Sequence, residues 1–198
     1  MSEALTNVFR RVAVPVGRGL GGIGVSPNAV TVAAGLLHVV VGGLVATGVI
    51  GLPVTGLAVL VLGFLDVVDG AIAKETGQVS AFGGFLDAWV DRLADSAVLA
   101  GLLVAWHAQG DSVGVVGAAV ALAAFPQVAY TRAKAEAMGL ECKVGLLTRT
   151  VRVLVLGAGL GVGLGSPAVW VLGVGSLATA AHRALHVRRA LAERERAA

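Results

Sequence analysis

Five aspartates fall within residues 66–95 of a chain that otherwise avoids charge. Asp66 and Asp69 are three residues apart, and Asp87, Asp91 and Asp95 are four apart. On a helix both spacings put side chains on one face. Each set therefore projects a stack of carboxylates, and a loop through Thr76, Gly77, Gln78, Val79 and Ser80 brings the second helix back beside the first. Like charges packed together demand a cation. Hard oxygen ligands, with no His or Cys in the stretch, point to Mg²⁺, Mn²⁺ or Ca²⁺. A solvated acidic helix end, or salt bridges to Lys74 and Arg92, is the plainer reading, but regular spacing on two helices favours a metal site. Gly70 and Ala73, and Gly83 one turn before Asp87, leave the helix surface bare for a ligand, although small residues also serve helix packing. Lys74 suits a phosphate as a point charge, or marks a cytoplasmic helix end.

The elements that must position these acids are membrane helices. The chain has 198 residues, 57% hydrophobic and 14% charged, against about 25% charged in a soluble domain. That composition indicates an integral membrane protein. An aspartate at mid-span costs roughly 2.5–3.5 kcal/mol on insertion scales, so acids kept there require compensation. The 29 glycines suggest helices packed through small residues. The single Cys142 excludes an internal disulfide.

A spanning helix needs about 20 mostly apolar residues. Six such stretches are predicted, at 29–49, 53–74, 83–107, 112–134, 145–164 and 167–188. Pro27, Pro53 and Pro167 suit first helical turns, and Pro126 predicts a kink in the fourth span. The expected fold is all-α in one domain, residues 1–198. Residues 1–27 form a juxtamembrane amphipathic segment, 28–188 the six-helix bundle and 189–198 a charged cytoplasmic tail. In the first segment Val8, Phe9 and Val12 face the interface while Arg10 and Arg11 face lipid phosphates.

Every Lys and Arg falls on one predicted side. The opposite loops, near 50, 109 and 165, carry none. Both termini are therefore expected in the cytoplasm, with the protein in the plasma membrane. The net charge of +3 follows from this topology and needs no nucleic acid. The acids then lie at the cytoplasmic face. A divalent-cation transporter would want them near the midplane and reachable from both sides, and a non-catalytic scaffold would not explain their spacing.

The run Asp66-x2-Asp69-Gly70-x2-Ala73-Lys74-x8-Gly83-x3-Asp87-x3-Asp91 resembles the signature of the CDP-alcohol phosphotransferase family, D-x2-D-G-x2-A-R-x8-G-x3-D-x3-D. Every spacing matches, and Lys74 stands where the family has Arg, keeping the charge but losing the bidentate fork. The "SPNAVT" stretch entering the first span is similar as well. The resemblance implies transfer of a phosphatidyl-type group, diacyl or archaeal diether, from a CDP-lipid to an alcohol, with release of CMP. It implies two divalent ions, Mg²⁺ or Mn²⁺, on Asp66, Asp69, Asp87 and Asp91, with Asp91 also the general base. Asn28, Ala29, Val30, Thr31, Asp69, Gly70, Ala73, Lys74, Ser80 and Gly83 would hold the CDP-lipid. Asp95 would support this set, through Arg92. A homodimer is implied too.

The acceptor is read from a second stretch, "YTRAKAEAMGLECKVGLLTRTVR". Arg132, Lys134, Arg149 and Arg152 gather at the ends of the fourth and fifth spans, which suits an acceptor carrying its own phosphate, or is ordinary positive-inside charge. The stretch resembles the inositol-phosphate-using branch of the family, where "Y-x-[KR]-A-[RK]-A-E" precedes "G-x2-E-R-x-E-R". Gly145, Arg149 and Arg152 match it, whereas Thr148 and Val151 replace the two glutamates. Inositol 1-phosphate is the expected acceptor, with glycerol 3-phosphate and then serine as alternatives.

Overall fold

The computed structural model describes residues 2–197, with side chains described for 12–196. Among the described residues it is all-helical: α1 (Ser2–Gly22), α2 (Pro27–Ala46), α3 (Leu52–Glu75), α4 (Ala81–Ala108), α5 (Ser112–Ala137), α6 (Arg149–Gly161) and α7 (Gly165–Ala197). Local chemistry explains where they begin. The Ser26 hydroxyl accepts from the Ala29 N–H at 3.3 Å and Pro27 opens α2. Ser80 caps α4 through the Gly83 N–H at 3.0 Å, and Asp111 caps α5 through the Gly114 N–H at 2.9 Å. After α3 the chain reverses through Gly77 at φ +69°, a left-handed geometry that glycine adopts freely.

Among the described residues, four helices, α2, α3, α5 and α7, are long and apolar enough to cross a membrane. α4 is long enough, with 28 residues, but Asp87, Asp91, Arg92 and Asp95 crowd its first half. The expected span at 145–164 is much shorter as a helix. α6 has only 13 residues, a rise of roughly 20 Å against a hydrocarbon core of about 30 Å. Its start is delayed because residues 140–148 are not helical and Gly145 takes φ +109°. At the other end, α7 runs as one helix through most of the stretch expected as a charged tail.

α1 packs on α3. Ala13 is fully buried against Val68, Ala71 and Ile72, and Arg18 pairs with Glu75 at 2.7 Å. The opposite side of α1 is open, with Val12 56% exposed. The side chains of Val8, Phe9, Arg10 and Arg11 lie outside the described residues.

The bundle is built on close backbone approaches. α2 packs on α4 where Gly42 and Gly101 meet backbone to backbone, and a Cβ on either would collide with the other helix. α3 meets α6 where a Cβ on Gly56 would come within 2.5 Å of the Gly157 carbonyl. The core proper gathers Leu99, Leu102, Trp106, Phe125, Leu160 and Leu172 from α4, α5, α6 and α7.

Candidate active site

The two acidic helices are not directly packed neighbours, as their sequence order suggested. α2 packs on both α3 and α4, α6 packs on α3, and no extensive α3–α4 contact forms. α3 and α4 are thus both packed on α2, while acids of both helices line one shared hollow. Asp66 and Asp69 project from α3, and Asp87, Asp91 and Asp95 from α4.

Three hollows surround the acids. The first, about 180 Å³, is lined by Asn28, Thr31, Asp69, Gly70, Ala73, Lys74, Ser80, Gly83 and Asp87. Eight of the ten residues expected to hold a CDP-lipid thus share one cavity. Two do not join them: Ala29 is exposed with its N–H committed to Ser26, and Val30 packs toward the Val68–Ile72 cluster. Pro27, Gln78, Val79 and Gly84 complete the wall without having been expected to line a site. Their signal was adjacency to the motif. A Cβ on Gly70 would meet nothing within 4 Å, so the missing side chain leaves open space. Asp69 is only 5% exposed and accepts a hydrogen bond from the Thr31 hydroxyl at 2.5 Å.

The second hollow is the largest, about 450 Å³, between α3 and α6 with α4 at its rim. Asp66, Asp87 and Asp91 form its polar end and Leu60, Phe64, Val153 and Leu154 its apolar wall. Arg149 enters here from the first turn of α6. It donates to Asp66 and lies 3.0 Å from Asp91 Oδ1, with its Nε 4.0 Å from Asp95 Oδ1. Arg149, expected among the acceptor-binding cations, stands as countercharge against these acids and also lines the basic hollow beside them. Among the described residues, no three His, Cys, Asp or Glu side chains are arranged to hold a metal ion as they stand.

The third hollow, about 200 Å³, is basic. Arg92, Arg132, Arg149, Arg152 and Arg183 line it, with Asp91, Asp95 and Thr148. Arg152 is 6% exposed and fixed from several sides: Nη2 donates to Asp95 at 2.9 Å, Nη1 to the Leu147 carbonyl at 3.3 Å, and its guanidinium carbon stands 4.6 Å from the Phe125 ring centroid. Asp95 is therefore tied to Arg152 rather than to Arg92, whose guanidinium bonds the Ala88 carbonyl one turn back. Arg132 pairs with Glu136 at 2.8 Å at the rim. Lys134 is exposed and does not line this hollow.

Arg183, which was not among the expected site residues, lies on this wall. It is buried, with Nε donating to the Val144 carbonyl at 2.9 Å and Nη1 to the Val128 carbonyl. Its sequence signal was weak, a lone arginine a turn before the basic end of α7, indistinguishable there from positive-inside charge.

The model of the CDP-alcohol phosphatidyltransferase family matches residues 24–181. The chain is 35% identical over 204 residues to a phosphatidylinositol phosphate synthase of Streptomyces avermitilis, covering 96% of this chain and 83% of that protein. It is 40% identical over 107 residues to an archaetidylinositol phosphate synthase of Methanothermobacter thermautotrophicus, covering 54% of this chain and only 52% of that protein. Its fold superposes on the crystal structure of Mycobacterium tuberculosis phosphatidylinositol phosphate synthase with CDP-DAG bound, at a TM-score of 0.79 and 31% identity, over 89% of this chain and 94% of that one. The same mycobacterial protein in complex with manganese and citrate matches at a TM-score of 0.78 and 31% identity, over 88% of each chain.

Proposed function

The chain belongs to the CDP-alcohol phosphatidyltransferase family, and we propose that it transfers a phosphatidyl-type group from a CDP-lipid to inositol 1-phosphate, releasing CMP. One observation carries this reading. Asp91 lines both the large acidic hollow and the basic one. A base shared by a donor site and an anion-binding site suits an acceptor alcohol that carries a phosphate.

The residues fit divalent ions on their own chemistry. Asp66, Asp87 and Asp91 line one hollow, Asp69 lies beside it under the Thr31 hydroxyl, and the cluster already draws in a guanidinium as countercharge. Asp66, Asp69, Asp87 and Asp91 would hold Mg²⁺ or Mn²⁺. Two such ions, when bound, offset the diphosphate charge and stabilise the attacking and leaving oxygens. The mycobacterial relative crystallised with manganese supports this assignment.

The chain's own groups then have defined work. The hollow with Asn28, Thr31, Gly70, Lys74, Ser80 and Gly83 takes the cytidine diphosphate end, and the absent side chain of Gly70 admits it close to the backbone. Lys74 supplies a single positive charge to the diphosphate. The apolar wall of Leu60, Phe64, Val153 and Leu154 lies alongside for the lipid. Asp91 takes the proton of the acceptor hydroxyl. The resulting oxygen bonds to the lipid-bearing phosphorus as the bond from that phosphorus to the CMP oxygen breaks. Arg132, Arg152 and Arg183 orient the acceptor through its phosphate, and charge-assisted bonds are the stronger class for this purpose.

The topology belongs to the same proposal. Six helices cross the plasma membrane, α6 and the charged α4 lying within the shelter of the other four, with the active site and both termini cytoplasmic. The working unit is a homodimer.

Purified protein offered a CDP-lipid, Mg²⁺ and one acceptor at a time decides the matter. The expected result is CMP release fastest with inositol 1-phosphate. Glycerol 3-phosphate is the second reading, favoured by Thr148 and Val151 where the inositol-phosphate branch has glutamates. A preference for serine removes the phosphorylated acceptor, and no CMP with any alcohol removes the transfer reaction.

A further inference from the structure

Arg149 lines two hollows of opposite character, one with Asp66, Asp87 and Asp91 and the other with Arg132, Arg152 and Arg183. Its Nη1 bridges Asp66 of α3 and Asp91 of α4. Its Nε is buried without a hydrogen-bond partner. The guanidinium thus neutralises the acids while leaving one of its own donors unmatched, an arrangement that is unfavourable for a buried polar group.

The other cations are held elsewhere. Arg152 also has a buried Nε without a hydrogen-bond partner, but it is fixed by Asp95, the Leu147 carbonyl and the Phe125 ring. Arg183 is fixed by the Val128 and Val144 carbonyls. Arg149 is the cation whose partners are carboxylates assigned to another ligand. It sits at the first position of α6, on a long side chain, with the basic hollow directly beside it.

We propose that Arg149 is a displaceable internal counter-cation: it neutralises Asp66 and Asp91 until divalent ions take those carboxylates, and then turns into the basic hollow as a further anion donor. This rests on the metal role proposed above for Asp66 and Asp91. Metal loading would then complete the acceptor pocket, so that the phosphorylated alcohol binds best to an enzyme already holding its ions. A ligand shifts an equilibrium only by its differential affinity for the two arrangements. Competition with Arg149 supplies that difference, and the coupling is reciprocal.

The test is Mn²⁺ binding to detergent-purified protein without substrates, read from the electron paramagnetic resonance signal of free Mn²⁺. Arg149→Gln removes the competitor and is expected to bind Mn²⁺ about 5- to 150-fold tighter than wild type, the range of typical site couplings. Arg149→Lys, shorter and without the fork, is expected to fall between. Without metal the Gln variant should melt below wild type, and Mn²⁺ should raise its Tm by the larger amount. Unchanged or weaker Mn²⁺ binding in both variants overturns the displacement. If the Gln variant does not fold, unchanged or weaker binding in the Lys variant overturns it alone. A folded wild type that binds no Mn²⁺ removes the metal assignment itself, and the inference with it.

Discussion

Thr31 Oγ1 donates to Asp69 Oδ2 at 2.5 Å, joining α2 to α3 across 38 residues of sequence. Both side chains are buried, and the same hydroxyl lies 3.1 Å from the Pro27 carbonyl at the start of α2. The bond fixes one proposed metal ligand against the wall of the proposed nucleotide hollow. Thr31→Val keeps the shape and removes the donor. A hydrogen bond to a charged group contributes about 1.5–3 kcal/mol, so kcat/KM for the CDP-lipid should fall roughly 10- to 150-fold. Thr31→Ser should recover most of the loss. Steady-state kinetics with the CDP-lipid varied checks this, and wild-type behaviour in the Val variant would show that Asp69 needs no such support.

Two glycine substitutions should separate fold from function. A Cβ at Gly70 meets nothing within 4 Å. Gly70→Ala should therefore leave the melting temperature unchanged while raising KM for the CDP-lipid, because the methyl projects into the hollow. A Cβ at Gly101 collides with the backbone of Gly42. Gly101→Ala should destabilise the α2–α4 contact by about 1–3 kcal/mol, the usual range for overpacking. Thermal unfolding of both variants beside CDP-lipid kinetics is the measurement. A lowered Tm in Gly70→Ala with normal KM would contradict the assignment.

Asp111 links the opposite end of the bundle. The Ser166 hydroxyl donates to its carboxylate at 2.5 Å and the Gly114 N–H at 2.9 Å, and these bonds hold the Asp111 carboxyl below its ordinary range. A depressed folded-state pKa contributes stability above the unfolded value, about 3.9, and that stability is lost as pH falls through the folded value. The Tm gap between wild type and Asp111→Ala should thus be constant from roughly pH 5 to 8 and narrow below about pH 4. A gap that is the same at pH 3 as at pH 7 would show that the charge of Asp111 is irrelevant to its cap.

The proposed orientation predicts selective labelling. Cys142 is buried, so single cysteines can be introduced in a Cys142→Ser background. An impermeant thiol reagent applied outside intact cells should mark Gln109→Cys and spare Leu5→Cys and Glu195→Cys. Outside labelling of either terminal position would reverse the topology.

Much of this protein is written in local sequence. The phase of a helix depends only on neighbouring residues, so the shared faces of Asp66 with Asp69 and of Asp87 with Asp91 follow from spacing alone. The caps at Ser26 and Ser80 and the open surface at Gly70 are similarly local, and Ser80 and Gly70 line the proposed nucleotide hollow. The family follows from the same motif. What needed tertiary structure is how separate elements meet. α3 and α4 both pack on α2 and make no extensive contact with each other. α6 begins only at Arg149, too late to make a full-length span on its own. Arg149 stands between the acidic and the basic hollow, Lys134 is exposed off both, and Arg183 reaches the basic hollow from the far end of the chain. Long cationic side chains choose among partners by distance, and those distances are set by packing between helices remote in sequence, which local spacing does not encode.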